Sequence, residues 1–153
     1  MHDFTLALHS LLRWMVLLLG LVAAARALRG WTGGGEWSAA DDRSGRLFVI
    51  AFDVQVLIGL LLYTWLSPIT TTALQNMGAA MQNSLVRFWV VEHIFGMILG
   101  LALAHIGRAK LRRAADPVAR HRRAAIYFGL AWLLAMLSTP WPFMAYGRPL
   151  WPW

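Results

Sequence analysis

The chain has 153 residues, of which 59% are hydrophobic and 14% charged, and its formal net charge is +7. A chain of this length has too little interior to hide so much apolar surface, so the composition excludes an ordinary soluble domain and favours a membrane protein with basic loops. The absence of cysteine excludes disulfides, cysteine-ligated zinc, iron–sulfur clusters and thiol catalysis.

Four stretches are long and apolar enough to cross a bilayer, which takes about 20 helical residues. They run over residues 4–25, 47–66, 88–106 and 124–140. The first is not interpreted as a signal peptide, because it lacks a basic leader and carries Arg13 in its middle. The fourth loses its helical pattern at Pro140 and Pro142. The sequence therefore predicts an all-α protein, an integral membrane four-helix bundle that forms a single domain over residues 1–153.

The basic residues of the connections predict how this bundle is oriented. Four follow the first stretch and seven follow the third: Arg26, Arg29, Arg43 and Arg46, then Arg108, Lys110, Arg112, Arg113, Arg120, Arg122 and Arg123. Because basic connections stay in the cytoplasm, we expect a multi-pass protein of the bacterial cytoplasmic (inner) membrane with both termini periplasmic. The run over residues 110–113 is interpreted as a topological signal that contacts anionic lipid, not as a nucleic-acid site.

The connection on the outer side, residues 68–85, predicts a short helix that lies flat on the membrane surface. Leu74, Met77 and Met81 recur there at helical spacing among polar residues. Five tryptophans near outer helix ends or in the tail predict an aromatic belt at the headgroups. They are Trp65, Trp89, Trp141, Trp151 and Trp153.

Polar side chains inside the apolar stretches are the candidate functional residues, since a charge in hydrocarbon costs about 2.5–3.5 kcal/mol on insertion scales. His9 and His93 each lie roughly 7–8 Å below the outer edge of their helices, at 1.5 Å per residue. Arg13 lies one turn after His9 on the same helix face, and Glu92 precedes His93. One interpretation is a buried Arg13–Glu92 ion pair, with the histidines as hydrogen-bonding links between helices.

The other interpretation is a cofactor site in which His9 and His93 bind the iron of haem b between two helices. Arg13 would then neutralise a haem propionate. Gly96 and Gly100 lie along the His93 stripe and would permit close approach of a flat macrocycle. Small residues at this spacing more often serve helix packing, so the residues alone leave both interpretations open.

A second polar group lies toward the cytoplasmic side. Asp53 and Gln55 belong to the second stretch, and His105 lies near the inner end of the third at a depth comparable to that of Asp53. These residues suit proton exchange, a quinone site or merely a buried hydrogen bond. A second haem is not expected there, because His121 is the only other candidate ligand and is expected to face water among neighbouring arginines.

Enzyme motifs are absent from the sequence. It contains no glycine-rich phosphate loop, no H-E-x-x-H and no G-x-S-x-G, and no paired repeats of the kind found in transporters. The sequence therefore predicts an electron-transfer or accessory subunit rather than a self-contained enzyme.

Several segments resemble a family of small bacterial four-helix membrane proteins whose members are often labelled cytochrome b-like. They are His9-Ser10-Leu11-Leu12-Arg13-Trp14, the nonapeptide MQNSLVRFW over residues 81–89, Val91-Glu92-His93, Ile106-Gly107-Arg108 and the Pro140-Trp141-Pro142 turn. The resemblance covers most of the chain. It implies haem b binding through His9 and His93. One position departs from the pattern: many relatives have a histidine near the start of the second helix, where this chain has Asp53, so any ligand role of that histidine would be lost here.

The leading hypothesis is thus a membrane protein that carries haem b near its outer face for electron transfer, with membrane protein partners in an electron-transfer complex. The competing hypothesis is a non-catalytic structural subunit of a larger respiratory or photosynthetic membrane complex. In that case Arg13 and Glu92 form a structural pair, and the histidines bind nothing or contact a partner's pigment or lipid.

Overall fold

The computed structural model describes residues 1–151, and all regular secondary structure in this range is helical. The helices in chain order are α1 (His2–Gly33), α2 (Ala39–Leu61), α3 (Pro68–Gln75), α4 (Met77–Gln82), α5 (Ser84–Arg87), α6 (His93–Arg112) and α7 (Pro117–Leu137). Two π-helical turns, Leu62–Leu66 after α2 and Phe88–Glu92 before α6, flank the short helices. The prediction of an all-α chain is confirmed for these residues.

The four long helices pack side by side in a closed ring. α7 packs extensively against both α1 and α6, α1 packs against α2, and the contact between α2 and α6 is the sparsest of the four. The centre of the bundle is apolar and includes fully buried Phe48, Phe52 and Phe128. The sparse contact between α2 and α6 leaves the room in which the candidate site lies.

Three helical stretches in the described part of the chain are long and apolar enough to cross a membrane. They are His2–Gly33, Ala39–Leu66 and Ser84–Arg112. α7 does not qualify, because its first turns carry Arg120, Arg122 and Arg123. The fourth predicted span, residues 124–140, lies mostly in α7, which begins at Pro117 and ends at Leu137. Three helical stretches of the described residues are thus suited by length and composition to cross a membrane, while the fourth span stays a prediction.

The helices extend well past the predicted spans at the end of the bundle that carries the basic connections, here called the basic end. α1 continues to Gly33, where Gly34 ends it with a left-handed φ of 62°, the backbone conformation that glycine adopts without strain. α2 begins early because Ser38 and Asp41 form a reciprocal capping box. Ion pairs of Arg26 with Asp41 (2.9 Å) and of Arg108 with Asp42 (2.8 Å) also hold this end together.

The outer connection contains three short helices rather than the single one predicted. The asparagines break the pattern: Asn76 caps α4 by accepting from the Ala79 amide, and Asn83 caps α5 by accepting from the amides of Leu85 and Val86. Asparagine competes with helix hydrogen bonds in this way, which sequence periodicity does not reveal. Of the predicted belt, Trp65 and Trp151 are exposed, while Trp153 lies outside the described residues.

The expectation that His121 faces water is wrong. Only 2% of this residue is exposed, its ring lies 4.8 Å from that of Trp37, and its Nε2 is 3.3 Å from the carbonyl oxygen of Glu36. The ring fits against α1 because Gly30 has no side chain there. The arginines beside His121 in sequence are on other faces of α7, so their charge does not indicate whether His121 is buried.

We expect Gly30→Ala to destabilise the protein by about 1–3 kcal/mol, the usual cost of overpacking. A Cβ at position 30 would overlap atoms of the His121 ring. Gly33→Ala is the matched control, because it adds the same methyl group to the same helix with nothing within 4 Å of it. Equilibrium unfolding in detergent micelles measures both; equal stability of the two variants would contradict this packing.

Candidate functional site

A cleft opens between α1, α2 and α6 at the end of the bundle opposite the basic end. Its walls are mostly aliphatic and aromatic, and its polar groups include those of His9, Gln55, Tyr63, His93 and Arg148. The cleft has about 740 Å³ of empty space when its open mouth is included. A long but narrow apolar cleft with a few converging polar groups is typical of a ligand site.

His93 has one nitrogen anchored and one free. Its Nδ1 lies 2.7 Å from the carbonyl oxygen of Ser138, at the end of α7. A carbonyl only accepts hydrogen bonds, so Nδ1 carries the proton and donates it. In the neutral ring Nε2 therefore has a lone pair, and it has no hydrogen-bond partner among residues 1–151. Histidine ligands of metals are oriented in this way by a carbonyl behind the ring.

His9 lies opposite His93 and is held by Gln55. The side-chain amide nitrogen of Gln55 donates to the backbone carbonyl of His9 (3.0 Å) and lies 3.2 Å from its Nε2. Since that amide donates to both acceptors, Nε2 of the neutral His9 ring accepts and Nδ1 carries the proton. His9 Nδ1 and Gln55 Oε1 are buried without partners. Unpaired buried polar atoms are costly, and these two lie on residues that line the cleft.

The two imidazole rings are close enough to bind one metal ion between them. Their centroids are 6.4 Å apart and their planes cross at 71°. Imidazoles on opposite sides of one metal have centroids roughly 6 Å apart, given metal–nitrogen bonds of about 2.0–2.1 Å. The prediction that His9 and His93 share a layer agrees with this distance.

The cleft brings together two histidine donors, His9 and His93. Within the described residues, no group of three or more histidine, cysteine or acidic side chains is placed to hold a metal. A bare zinc or similar ion usually needs three or four protein ligands. Haem supplies four of the ligands of its iron itself, so His9 and His93 would be sufficient to hold it. Ligation through His9 Nε2 would displace the Gln55 amide, which keeps the His9 carbonyl as its acceptor.

The predicted Arg13–Glu92 ion pair is not formed. Arg13 is buried and donates to the carbonyls of Leu150 (2.7 Å) and Pro149 (3.4 Å) in the C-terminal segment. Glu92 instead accepts from Arg87 at 2.8 Å, near the surface. Equal depth on two helices predicted the pair, but α1 and α6 lie across the bundle from each other, and each residue has a closer partner on its own side.

Gly96 and Gly100 do not line the cleft. A Cβ at Gly96 would meet Ser138, and one at Gly100 would meet Phe52 and the carbonyl of Ala131. Both glycines thus allow α6 to pack closely on its neighbours, chiefly α7, which is the helix-packing interpretation of their spacing. Contrary to the prediction, neither glycine is placed to contact a macrocycle in the cleft.

The structure brings Asp53 and His105 together but leaves Gln55 apart from them. Asp53 Oδ1 and His105 Nε2 are 2.8 Å apart, and the two side chains are 38% and 53% exposed. Gln55 is only 4% exposed and points into the bundle toward His9. The predicted group of three therefore divides into a surface pair and a cleft residue.

Two contributions to the cleft were missed by sequence reasoning. The guanidinium of Arg148 lies over the ring of Trp89 at 5.1 Å, and both side chains line the cleft. Tyr63 donates to the carbonyl of Val90 (3.0 Å), which ties one π-helical turn to the other. π-helical turns re-aim neighbouring side chains and are frequent at functional sites, and the second one ends just before His93.

Comparisons with protein-family models, with curated proteins and with solved structures found no match to this chain.

Proposed function

We propose that this chain is a multi-pass membrane protein that binds haem b between α1 and α6 and takes part in electron transfer. The observation that carries the proposal is His93, whose Nδ1 is anchored on the Ser138 carbonyl while its Nε2 is left free beside an apolar cleft. An imidazole fixed in this tautomer is prepared to coordinate iron rather than to donate a hydrogen bond.

The position of His9 supports a second histidine that would help hold the haem. Its ring is 6.4 Å from that of His93, and the two residues belong to different helices, as the ligands of cofactors in helical bundles do. When bound, haem b would supply reversible one-electron chemistry at its iron. The protein's own residues supply the rest: the Ser138 carbonyl orients the His93 ring, the Gln55 amide bonds the backbone carbonyl of His9, and the apolar walls exclude water.

The proposal places the cleft near the outer face of a bacterial inner membrane, with both termini periplasmic. The distribution of basic residues supports this orientation: all eleven in the two basic connections belong to the basic end, opposite the cleft. Membrane protein partners would donate and accept the electrons.

The test is an absorption spectrum of the purified protein. The full chain is produced with an ample supply of haem, purified in mild detergent, and measured in its reduced and oxidised forms. The expected result is the α-band of bis-histidine haem b at about one haem per chain. Protein that is folded, haem-supplied and yet free of this band would refute the proposal.

The competing function, an accessory subunit of a larger membrane complex, is favoured by one observation. Asp53 and His105 lie within the apolar helical stretches and are both more than one-third exposed. A polar pair that faces lipid is costly, so a neighbouring chain or a quinone headgroup would be expected to cover it. Co-purification of stoichiometric partner chains without crosslinking, with no haem in the isolated chain, would favour this function over haem binding.

A further inference from the structure

We infer that Arg148, and not Arg13, binds the carboxylate of the cofactor in the cleft; this inference rests on the proposed haem binding. Arg13 was the cation expected beside a propionate, but it is buried against the carbonyls of Leu150 and Pro149. Arg148 is the arginine that lines the cleft. Arg13 therefore holds the C-terminal segment in place, and this segment brings Arg148 to the cleft.

The C-terminal segment, residues 139–151, positions Arg148 through several contacts. The amide of Arg148 donates to the carbonyl of Pro140 at 3.0 Å. The ring of Tyr146 stacks on Phe88 with centroids 3.5 Å apart, and the Arg148 guanidinium lies 5.1 Å from the centroid of the Trp89 ring. Phe88 and Trp89 begin the π-helical turn that leads to His93. The guanidinium is thus fixed to the element that presents the free imidazole nitrogen.

The charge of Arg148 has no counter-ion within the part of the chain that the structure describes. Two acidic residues, Asp3 and Glu92, are adjacent in sequence to residues that line the cleft, but their carboxylates lie against His2 and Arg87 instead. A guanidinium presents several donors in a planar fork that suits carboxylate oxygens, and at the edge of an apolar cleft this attraction is weakly screened. Haem b is apolar except for its iron and its two propionates, so an axial imidazole and a cation at the mouth recognise both of its polar features.

The experiment compares haem b with its dimethyl ester, which has the same iron and macrocycle but no carboxylate. Dissociation constants of both are measured by absorbance titration of the full-length apo-protein in mild detergent, for the wild type and Arg148→Gln. We expect Arg148→Gln to weaken haem b binding by about tenfold, the effect of one charge-assisted hydrogen bond, and to leave binding of the ester unchanged. Arg148→Lys, which keeps the positive charge, should weaken haem b binding less than Arg148→Gln does.

The matched control is Arg87→Gln, which removes a cation from the same end of the bundle but outside the cleft. It should leave both dissociation constants unchanged. If Arg148→Gln and the wild type discriminate equally between haem b and its ester, the inference is wrong while haem binding stands. If the wild type binds neither porphyrin, the proposed function itself is refuted. Loss of ester binding in Arg148→Gln would show a role in folding or packing and would also contradict the inference.

Discussion

His93→Gly is expected to lose the haem b spectrum of the wild-type protein and to regain it when free imidazole is added. The substitution removes the cleft side chain that has a free nitrogen and is oriented by a backbone carbonyl. It also leaves a space of the size and shape of imidazole, beside the Ser138 carbonyl that can orient the added ring. Second-sphere orientation of this kind typically accounts for 10–100-fold in metal affinity.

Two control variants make the result specific to the cleft. His105 belongs to α6, as His93 does, but its imidazole pairs with Asp53 on the surface. His105→Gly should therefore retain the full haem spectrum. His9→Gly removes the opposite ring and should leave a five-coordinate haem, with a changed spectrum and weaker binding rather than none. A His93→Gly protein that retains the bis-histidine spectrum would exclude His93 as a ligand.

The histidine pair was predictable because it depends on a quantity that sequence supplies. The depth of a residue in a helix follows from its distance to the helix start, at 1.5 Å per residue, and this placed His9 and His93 at one level. The apolar stretches were predictable for the same reason, since length and composition define them. The lateral arrangement of the helices was not predictable, and so Arg13 was paired with the wrong residue.

The residues that complete the cleft come from parts of the chain that sequence periodicity does not connect. The acceptor at Ser138 is a backbone carbonyl at the end of α7. Every residue has such a carbonyl, so the type of residue at this position does not predict the contact. Arg148 reaches the cleft only because the C-terminal segment folds back onto α1. Gln55 was assigned to Asp53 by proximity in sequence, although residues two apart on a helix point in different directions.

Arg13→Ala is expected to release the C-terminal segment from α1. Arg13 is 7% exposed and donates to the carbonyls of Leu150 and Pro149, while Trp14 donates to the same Leu150 carbonyl at 3.1 Å. A hydrogen bond from a charged donor contributes about 1.5–3 kcal/mol net. Its loss should therefore speed local opening, and so amide exchange, by about tenfold or more.

Hydrogen exchange measured by mass spectrometry tests this expectation on amides that are bonded within the segment. Gly147 and Arg148 donate to the carbonyls of Met144 and Pro140, and their exchange should accelerate in Arg13→Ala while that of α2 does not. Arg29→Ala is the control, because Arg29 is an exposed residue of the same helix at the basic end.

The same variant links the segment to the cleft. If the C-terminal segment carries the cation that binds the cofactor, its release by Arg13→Ala should weaken haem b binding as Arg148→Gln does, and the double variant should be little weaker than either single one. Because both substitutions remove one interaction by different routes, their effects should not add. Additive losses would mean that Arg13 acts on the cofactor directly, and unchanged exchange would mean that the tryptophan contacts alone hold the segment.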